Sequence, residues 1–113
     1  MTLPPNFDIL VAQIEREINV LGTELSQAIQ LVRARIALFP DNIILIQLFA
    51  LLNNYTLFLE NTQRRIRETI QYVTTDETLS IVDIQVAGED LSEQLGRILE
   101  AKIVVSNIIK RLE

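Results

Sequence analysis

The 113-residue chain contains no histidine and no cysteine. Without these residues we expect no His- or Cys-based catalytic constellation, no Cys/His zinc site, no thiol redox chemistry and no disulfide. Tryptophan is also missing, and the chain has only three Gly and three Pro. So few turn-forming residues argue against a β-sandwich or barrel, whose many turns require them.

The remaining inventory also lacks the motifs of other enzyme classes. The three glycines stand alone, so there is no glycine-rich phosphate loop. No serine lies in a nucleophile-elbow setting. Glu89, Asp90 and Glu93 form an acidic cluster, but without a Glu-x-x-His pair they are typical of a solvated face rather than a two-metal site. We therefore predict a non-enzyme with no catalytic residues, no metal ligands and no cofactor.

Acidic residues outnumber basic ones, with 15 Asp and Glu against 10 Lys and Arg and a net charge of −5. A general nucleic-acid binder is basic on at least one face, so this balance disfavours nucleic acid as a partner. Residues 1–6 lack the basic and apolar stretches of a secretory signal. The longest apolar run, Ile43 to Leu52, is about half the length of a membrane span. We expect no membrane span and a cytoplasmic location.

Apolar residues recur at helical spacing through three segments of the chain. Pro40 interrupts the pattern once, and Asp41 or Asn42 is expected to cap the helix that follows. Thr74 and Glu77 have capping-box spacing and mark the second break. The pattern predicts a single all-α domain, residues 1–113, with three long antiparallel helices at about 7–39, 42–73 and 77–112 in an up-down-up bundle.

Steps of three and four residues define the predicted core-facing seam of each helix. The seam positions are Phe7, Leu10, Ile14, Ile18, Leu21, Leu25, Ala28, Val32, Arg35 and Phe39; Leu45, Leu48, Leu52, Tyr55, Leu59, Thr62, Ile66, Thr69, Ile70 and Val73; and Ile81, Ile84, Gly88, Leu91, Leu95, Ile98, Lys102, Val105, Ile109 and Leu112.

The β-branched stretch from Leu79 to Val86 leaves room for other structures. A short strand is one alternative, although the helical spacing continues through the stretch and favours a helix. Gly88 on the seam indicates either a close helix approach or a kink. A break at residues 86–90, with Asp90 and Glu93 capping a new helix, is the second alternative.

The second segment carries more apolar surface than two neighbouring helices can cover, because residues 43–52 are apolar on every side. We expect oligomerisation to complete the bundle, most simply as a C2 dimer, and Leu48→Glu to disperse it. A different protein partner and a monomer with exposed apolar residues are the alternatives. The predicted oligomer interface is Ile44, Leu45, Leu48, Phe49, Leu51 and Leu52.

Two sets of basic residues are candidate anion or partner contacts. Arg64, Arg65 and Arg67 form the densest positive cluster, which fits a phosphate contact or, alternatively, ion pairs within the bundle. The acids expected within reach are Glu15, Glu17, Glu60, Glu68 and Asp83.

Arg35 and Lys102 form the second set, because both occupy seam positions and are predicted to lie at one level of the bundle, facing residues 45–47. Together they would suit an anionic ligand. Alternatively, their stems pack while their charged ends reach water or pair with Glu100 and Asp41.

The sequence favours a self-associating, non-enzymatic interaction, scaffold or adaptor module of a cytoplasmic protein assembly. The alternative is a small regulatory protein that binds an anionic ligand or nucleic acid through Arg35 and Lys102 or through the arginine cluster.

Overall fold

Three long helices form the part of the chain that the structure describes, residues 5–113. In the computed structural model, α1 spans Pro5–Leu38, α2 spans Ile43–Thr75 and α3 spans Ile81–Leu112. Each helix packs against both others, and the molecule is a rod of 58 × 18 × 15 Å. The predicted all-α, up-down-up bundle is confirmed. We call the end with the α1–α2 turn the turn end, and the opposite end the open end.

The α1–α2 turn follows the sequence signals closely. Helix α1 stops at Leu38, two residues before Pro40, which cannot continue a helix. The side chain of Asn42 then accepts a hydrogen bond from the backbone N–H of Leu45 at 3.2 Å, which satisfies an otherwise free donor of the first turn of α2. Of the two predicted candidates, Asp41 and Asn42, the cap is therefore Asn42.

The second break lies later than predicted, and the capping box at Thr74 and Glu77 is wrong. The hydroxyl of Thr74 instead donates to the carbonyl of Ile70 at 2.8 Å, and α2 continues to Thr75. The capping box of α3 is formed by Ser80 and Asp83, each side chain bonding to the backbone N–H of the other residue.

Asp76 closes the turn that separates α2 from α3. Its carboxylate accepts hydrogen bonds from the hydroxyl and the backbone N–H of Thr78, which lower the pKa of Asp76 below its ordinary value. This local ring of hydrogen bonds competes with helix formation at residues 77–80. Helix α3 therefore begins at Ile81 instead of residue 77.

Helix α3 is continuous through the ambiguous stretch. It runs unbroken from Ile81 to Leu112, so the strand and the break at 86–90 are both wrong. The expected close approach at Gly88 is also wrong, because a Cβ added there would meet nothing within 4 Å. The neighbouring Ala87 is the buried residue at this level of the bundle.

The core is one apolar column along the rod, contributed by all three helices. The predicted seams are mostly confirmed, and the exposed seam residues are Arg35 and the two apolar residues Phe39 and Ile81. These two apolar residues are exposed because Phe39 follows the end of α1 and Ile81 opens α3, where no neighbouring helix covers them. The fully buried large side chains are Ile14, Leu21, Val32, Leu52, Leu91, Ile98 and Val105.

Gln94 is a polar residue inside this column. It is 2% exposed, and its Nε2 has no hydrogen-bond partner among the described residues. The buried Thr62 lies at about the same level, since the nearby pair Arg65–Asp90 sets the register of α2 against α3. An unpaired buried amide donor costs about 1–3 kcal/mol.

We expect Ile98→Ala to lower the free energy of unfolding by about 2–5 kcal/mol, because it deletes a fully buried side chain and leaves a cavity. Ile103→Ala on the same helix is the matched control. Ile103 is 63% exposed, and its truncation should change stability by no more than about 0.5 kcal/mol. Urea denaturation of both variants measures the difference, and equal losses would contradict the assigned face of α3.

Gln94→Met is expected to raise the free energy of unfolding by about 1 kcal/mol, since it keeps the side-chain volume and removes the unpaired donor. Gln85→Met, at an exposed position of α3, should leave stability unchanged. Thermal and urea unfolding provide the comparison. A destabilised Gln94→Met variant would show that the amide has a partner in the folded state.

Candidate interaction surfaces

The two candidate cations Arg35 and Lys102 do not form one site. Lys102 Nζ donates to Glu17 Oε2 at 3.1 Å, whereas Arg35 Nη2 donates to the carbonyl of Leu112 at 2.7 Å. Glu17 and Arg35 are 18 residues apart on α1, which corresponds to about 27 Å along the helix. The predicted common level is wrong. Helix α3 begins at Ile81, four residues later than predicted, which accounts for only about 6 Å of this separation.

Both cations instead join elements of the bundle. Lys102–Glu17 links α3 to α1 with both side chains partly shielded, and Ser106 donates to Glu24 at 2.9 Å one turn further along. Arg35 supplies a donor and a positive charge to the carbonyl end of α3, where helix carbonyls lack partners. Neither cation pairs with the expected Glu100 or Asp41.

The arginine cluster is divided among different contacts. Arg65 Nη2 forms a 2.6 Å ion pair with Asp90, which joins α2 to α3. Arg64 Nη2 donates to Asn61 Oδ1 at 3.0 Å. Within residues 5–113, Arg67 has no ion pair. Ion pairing is thus present at Arg65, but its partner is Asp90 instead of any of the five acids expected from the sequence.

The acidic cluster of α3 is separated in the same way. Asp90 contacts Arg65, and Glu93 contacts Arg97 one turn later at 2.7 Å, while Glu89 is exposed. Across residues 5–113 no group of three or more Asp or Glu side chains is arranged to hold a metal ion. The surface depressions are open grooves between helices, such as the one lined by Ile18 and Gln63.

An apolar surface, interrupted by the exposed side chains of Gln47 and Asn54, occupies the turn end and the first half of α2. We call it the α2 apolar surface. Its large side chains are all more than a third exposed, and Ile43 and Ile44 are about two-thirds exposed. The members are Leu38, Phe39, Ile43, Ile44, Ile46, Leu51 and Leu57.

The predicted interface overlaps this surface only in Ile44 and Leu51. Leu45 and Leu52 lie in the core of their own bundle, so they are not free to contact a partner. Leu48 and Phe49 are half-buried against the core, and the guanidinium of Arg33 lies 5.5 Å from the centre of the Phe49 ring. Because Leu48 packs against the core, Leu48→Glu would disturb the fold as well as an interface.

The sequence prediction missed Ile43, Ile46 and Leu57. A signal for them was present, because the helical repeat places them on the side of α2 opposite its core-facing positions. The predicted interface instead included three residues that lie on the predicted core-facing seam of the same helix, Leu45, Leu48 and Leu52.

Helix α2 also has the length and composition of a membrane-spanning helix. Mean hydropathy reaches 1.5 over an 18-residue window, of which 17% is buried in the bundle. The sequence expectation considered only the run from Ile43 to Leu52 and missed this feature. This property rests on length and composition alone, and most of the window lies outside the core of the bundle.

Arg65→Gln is expected to lower the free energy of unfolding by less than about 1 kcal/mol, because the Arg65–Asp90 pair is partly solvated. The loss should shrink in 1 M NaCl, where the screening length falls to about 3 Å. Arg67→Gln is the matched control and should have little effect at either salt concentration. Equal, salt-independent losses in both variants would contradict a specific contribution from the Arg65–Asp90 pair.

Comparison with known proteins yields no match to the chain among family models, curated proteins or solved structures.

Proposed function

We propose that this protein is a non-enzymatic interaction module that self-associates through the α2 apolar surface and acts as a scaffold or adaptor in a cytoplasmic assembly. The observation that carries the proposal is that seven of the fourteen exposed large apolar side chains within residues 5–113 lie at the turn end and along the first half of α2. Isolated exposed apolar residues are common, but a large group on one part of a bundle favours a contact surface.

The size of this surface fits a protein interface. With roughly 100 Å² exposed for each of the seven side chains, the surface offers about 700 Å² per copy, close to the ~800 Å² that each partner buries in a standard interface. It is also larger than the largest apolar patch of many monomers, which is about 300–600 Å².

The charge pattern of α2 supports the same proposal. No charged residue occurs from Asn42 to Leu59, whereas Glu60 to Glu68 contains five. Interface centres are depleted of charge, because a desolvated charge is costly unless it is paired. The uncharged half of α2 is therefore suited to a partner, and the charged half to solvent.

Binding of an anionic ligand or nucleic acid has less support. Arg35, Arg65 and Lys102 already have partners within the bundle, and they are spread along its length. A nucleic-acid footprint needs several cations on one face to neutralise successive phosphates.

We expect the wild-type chain to be a dimer at micromolar concentration and Ile43→Glu to weaken the dimer at least tenfold. The substitution places a charge in the interface, while a glutamate in the first turn of α2 is compatible with helix formation. Size-exclusion chromatography with light scattering measures the mass, and circular dichroism verifies the helical fold.

Ile103→Glu is the matched control, because Ile103 is 63% exposed compared with 68% for Ile43 and lies on α3 outside the α2 apolar surface. It should remain a dimer. A wild-type monomer would overturn self-association, and a dimer that survives Ile43→Glu but not Ile103→Glu would move the interface to α3.

A further inference from the structure

We infer that α2 pairs antiparallel with α2 of a second copy, around a two-fold axis close to Ala50. This inference rests on the proposed self-association and specifies its geometry. The contact is centred on an outer seam on the side of α2 away from the core, which contains three of the seven side chains of the α2 apolar surface. The outer seam consists of Ile43, Ile46, Ala50, Asn53 and Leu57.

The outer seam has the spacing of a coiled-coil interface. Its residues follow one another by three, four, three and four positions, which keeps them in one stripe along a helix. All five are exposed in the single chain. The neighbouring stripe of Ile44, Leu51 and Phe58 has less apolar surface available to a partner. Phe58 is already half-buried and Leu51 is 38% exposed.

The order of large and small residues along the seam selects a register. When two copies run in opposite directions, Ile46 lies opposite the partner's Leu57, and Ala50 lies opposite the partner's Asn53. The symmetry repeats each contact, as a two-fold interface requires. Ala50 leaves space for the amide of Asn53, and a polar residue within such a seam restricts the register.

The polar residues beside the seam favour the same arrangement. Gln47 and Asn54 are both exposed and lie seven residues apart on one side of the outer seam. In the antiparallel register Gln47 falls opposite the partner's Asn54, so two carboxamides can exchange hydrogen bonds on each side of the axis. In a parallel pair, Gln47 and Asn54 would instead face the opposite side of the partner's outer seam, which carries neither of these two residues.

Long-range charge also distinguishes the two directions. At the open end, residues 5–12 and 70–89 contain five acids and no base. A parallel pair would bring two such ends side by side. In the antiparallel register these ends lie about 70 Å apart at 1.5 Å per residue, far beyond the screening length of about 10 Å at 0.1 M salt.

The charged half of α2 limits the overlap. The next seam positions after Leu57 are Glu60 and Arg64. In this register Glu60 lies opposite the partner's Ile43 at the edge of the contact, where its carboxylate can reach water, and Arg64 lies beyond the partner's α2. The contact therefore covers the uncharged half of α2 and leaves the charged half in water.

Thiol cross-linking tests the register directly, because the chain has no cysteine of its own. The double variant Ile46→Cys/Leu57→Cys should form a disulfide-linked dimer under mild oxidation. Each single variant should not, since its two thiols would lie about 16 Å apart along the axis and a disulfide needs Cα atoms within about 7 Å. Ile103→Cys, on α3 outside the proposed contact, measures how much cross-linking arises from random collisions between copies.

The outcomes separate this inference from the proposed function. Efficient cross-linking of either single variant would overturn the antiparallel register in favour of a parallel one, while self-association through α2 would stand. If the wild-type chain is a dimer but none of the cysteine variants cross-links, the outer seam is not the interface. A wild-type monomer would overturn both proposals. If that monomer co-sediments with phosphatidylcholine vesicles, the α2 apolar surface binds a lipid bilayer instead of a second copy.

A distance measurement away from the seam provides an independent test. A spin label on Gln71→Cys, an exposed position in the charged half of α2, should give an interchain distance of about 60 Å in the antiparallel register. A distance of about 10–20 Å would indicate a parallel pair and overturn the inference.

Discussion

The structure depends on one constraint: a helix in a three-helix bundle has only two neighbours. Helix α2 is apolar on every side at its turn end, but α1 and α3 cover only the side that carries Leu45 and Leu52. The opposite side, with Ile43 and Ile46, stays exposed. Burying apolar surface is the main favourable contribution to folding and to association, so the same property that builds the core also favours a partner.

Polar contacts then set the relative positions of the helices. Lys102–Glu17 and Arg35–Leu112 connect α1 to α3, and Arg65–Asp90 connects α2 to α3. Each contact occupies a cation that the sequence alone presents as a candidate ligand contact. An arginine or lysine in a small acidic bundle meets many internal acceptors, so cation density by itself is a poor indicator of an anion site.

The α2 apolar surface and the five acids of the open end lie at different positions along the rod. The open end also exposes large apolar side chains, among them Ile9, Ile81 and Val82. An interface at the turn end allows two rods to associate while their acidic ends remain apart. The shape of the rod and its charge distribution thus favour an elongated assembly over full side-by-side packing.

The sequence by itself determined the three helices, their order, most of the core and the excess of apolar surface, because helical periodicity is a local property of the chain. It could not determine the axial register of the helices, which decided the partners of Arg35, Arg65 and Lys102. Nor could it determine which part of the run from Ile43 to Leu52 the chain covers. Only the tertiary structure decided these points, since they depend on where each helix begins and which faces meet. The start of α3 is one example: the turn closed by the hydrogen bonds of Asp76 with Thr78 precedes a helix that begins at Ile81 instead of residue 77.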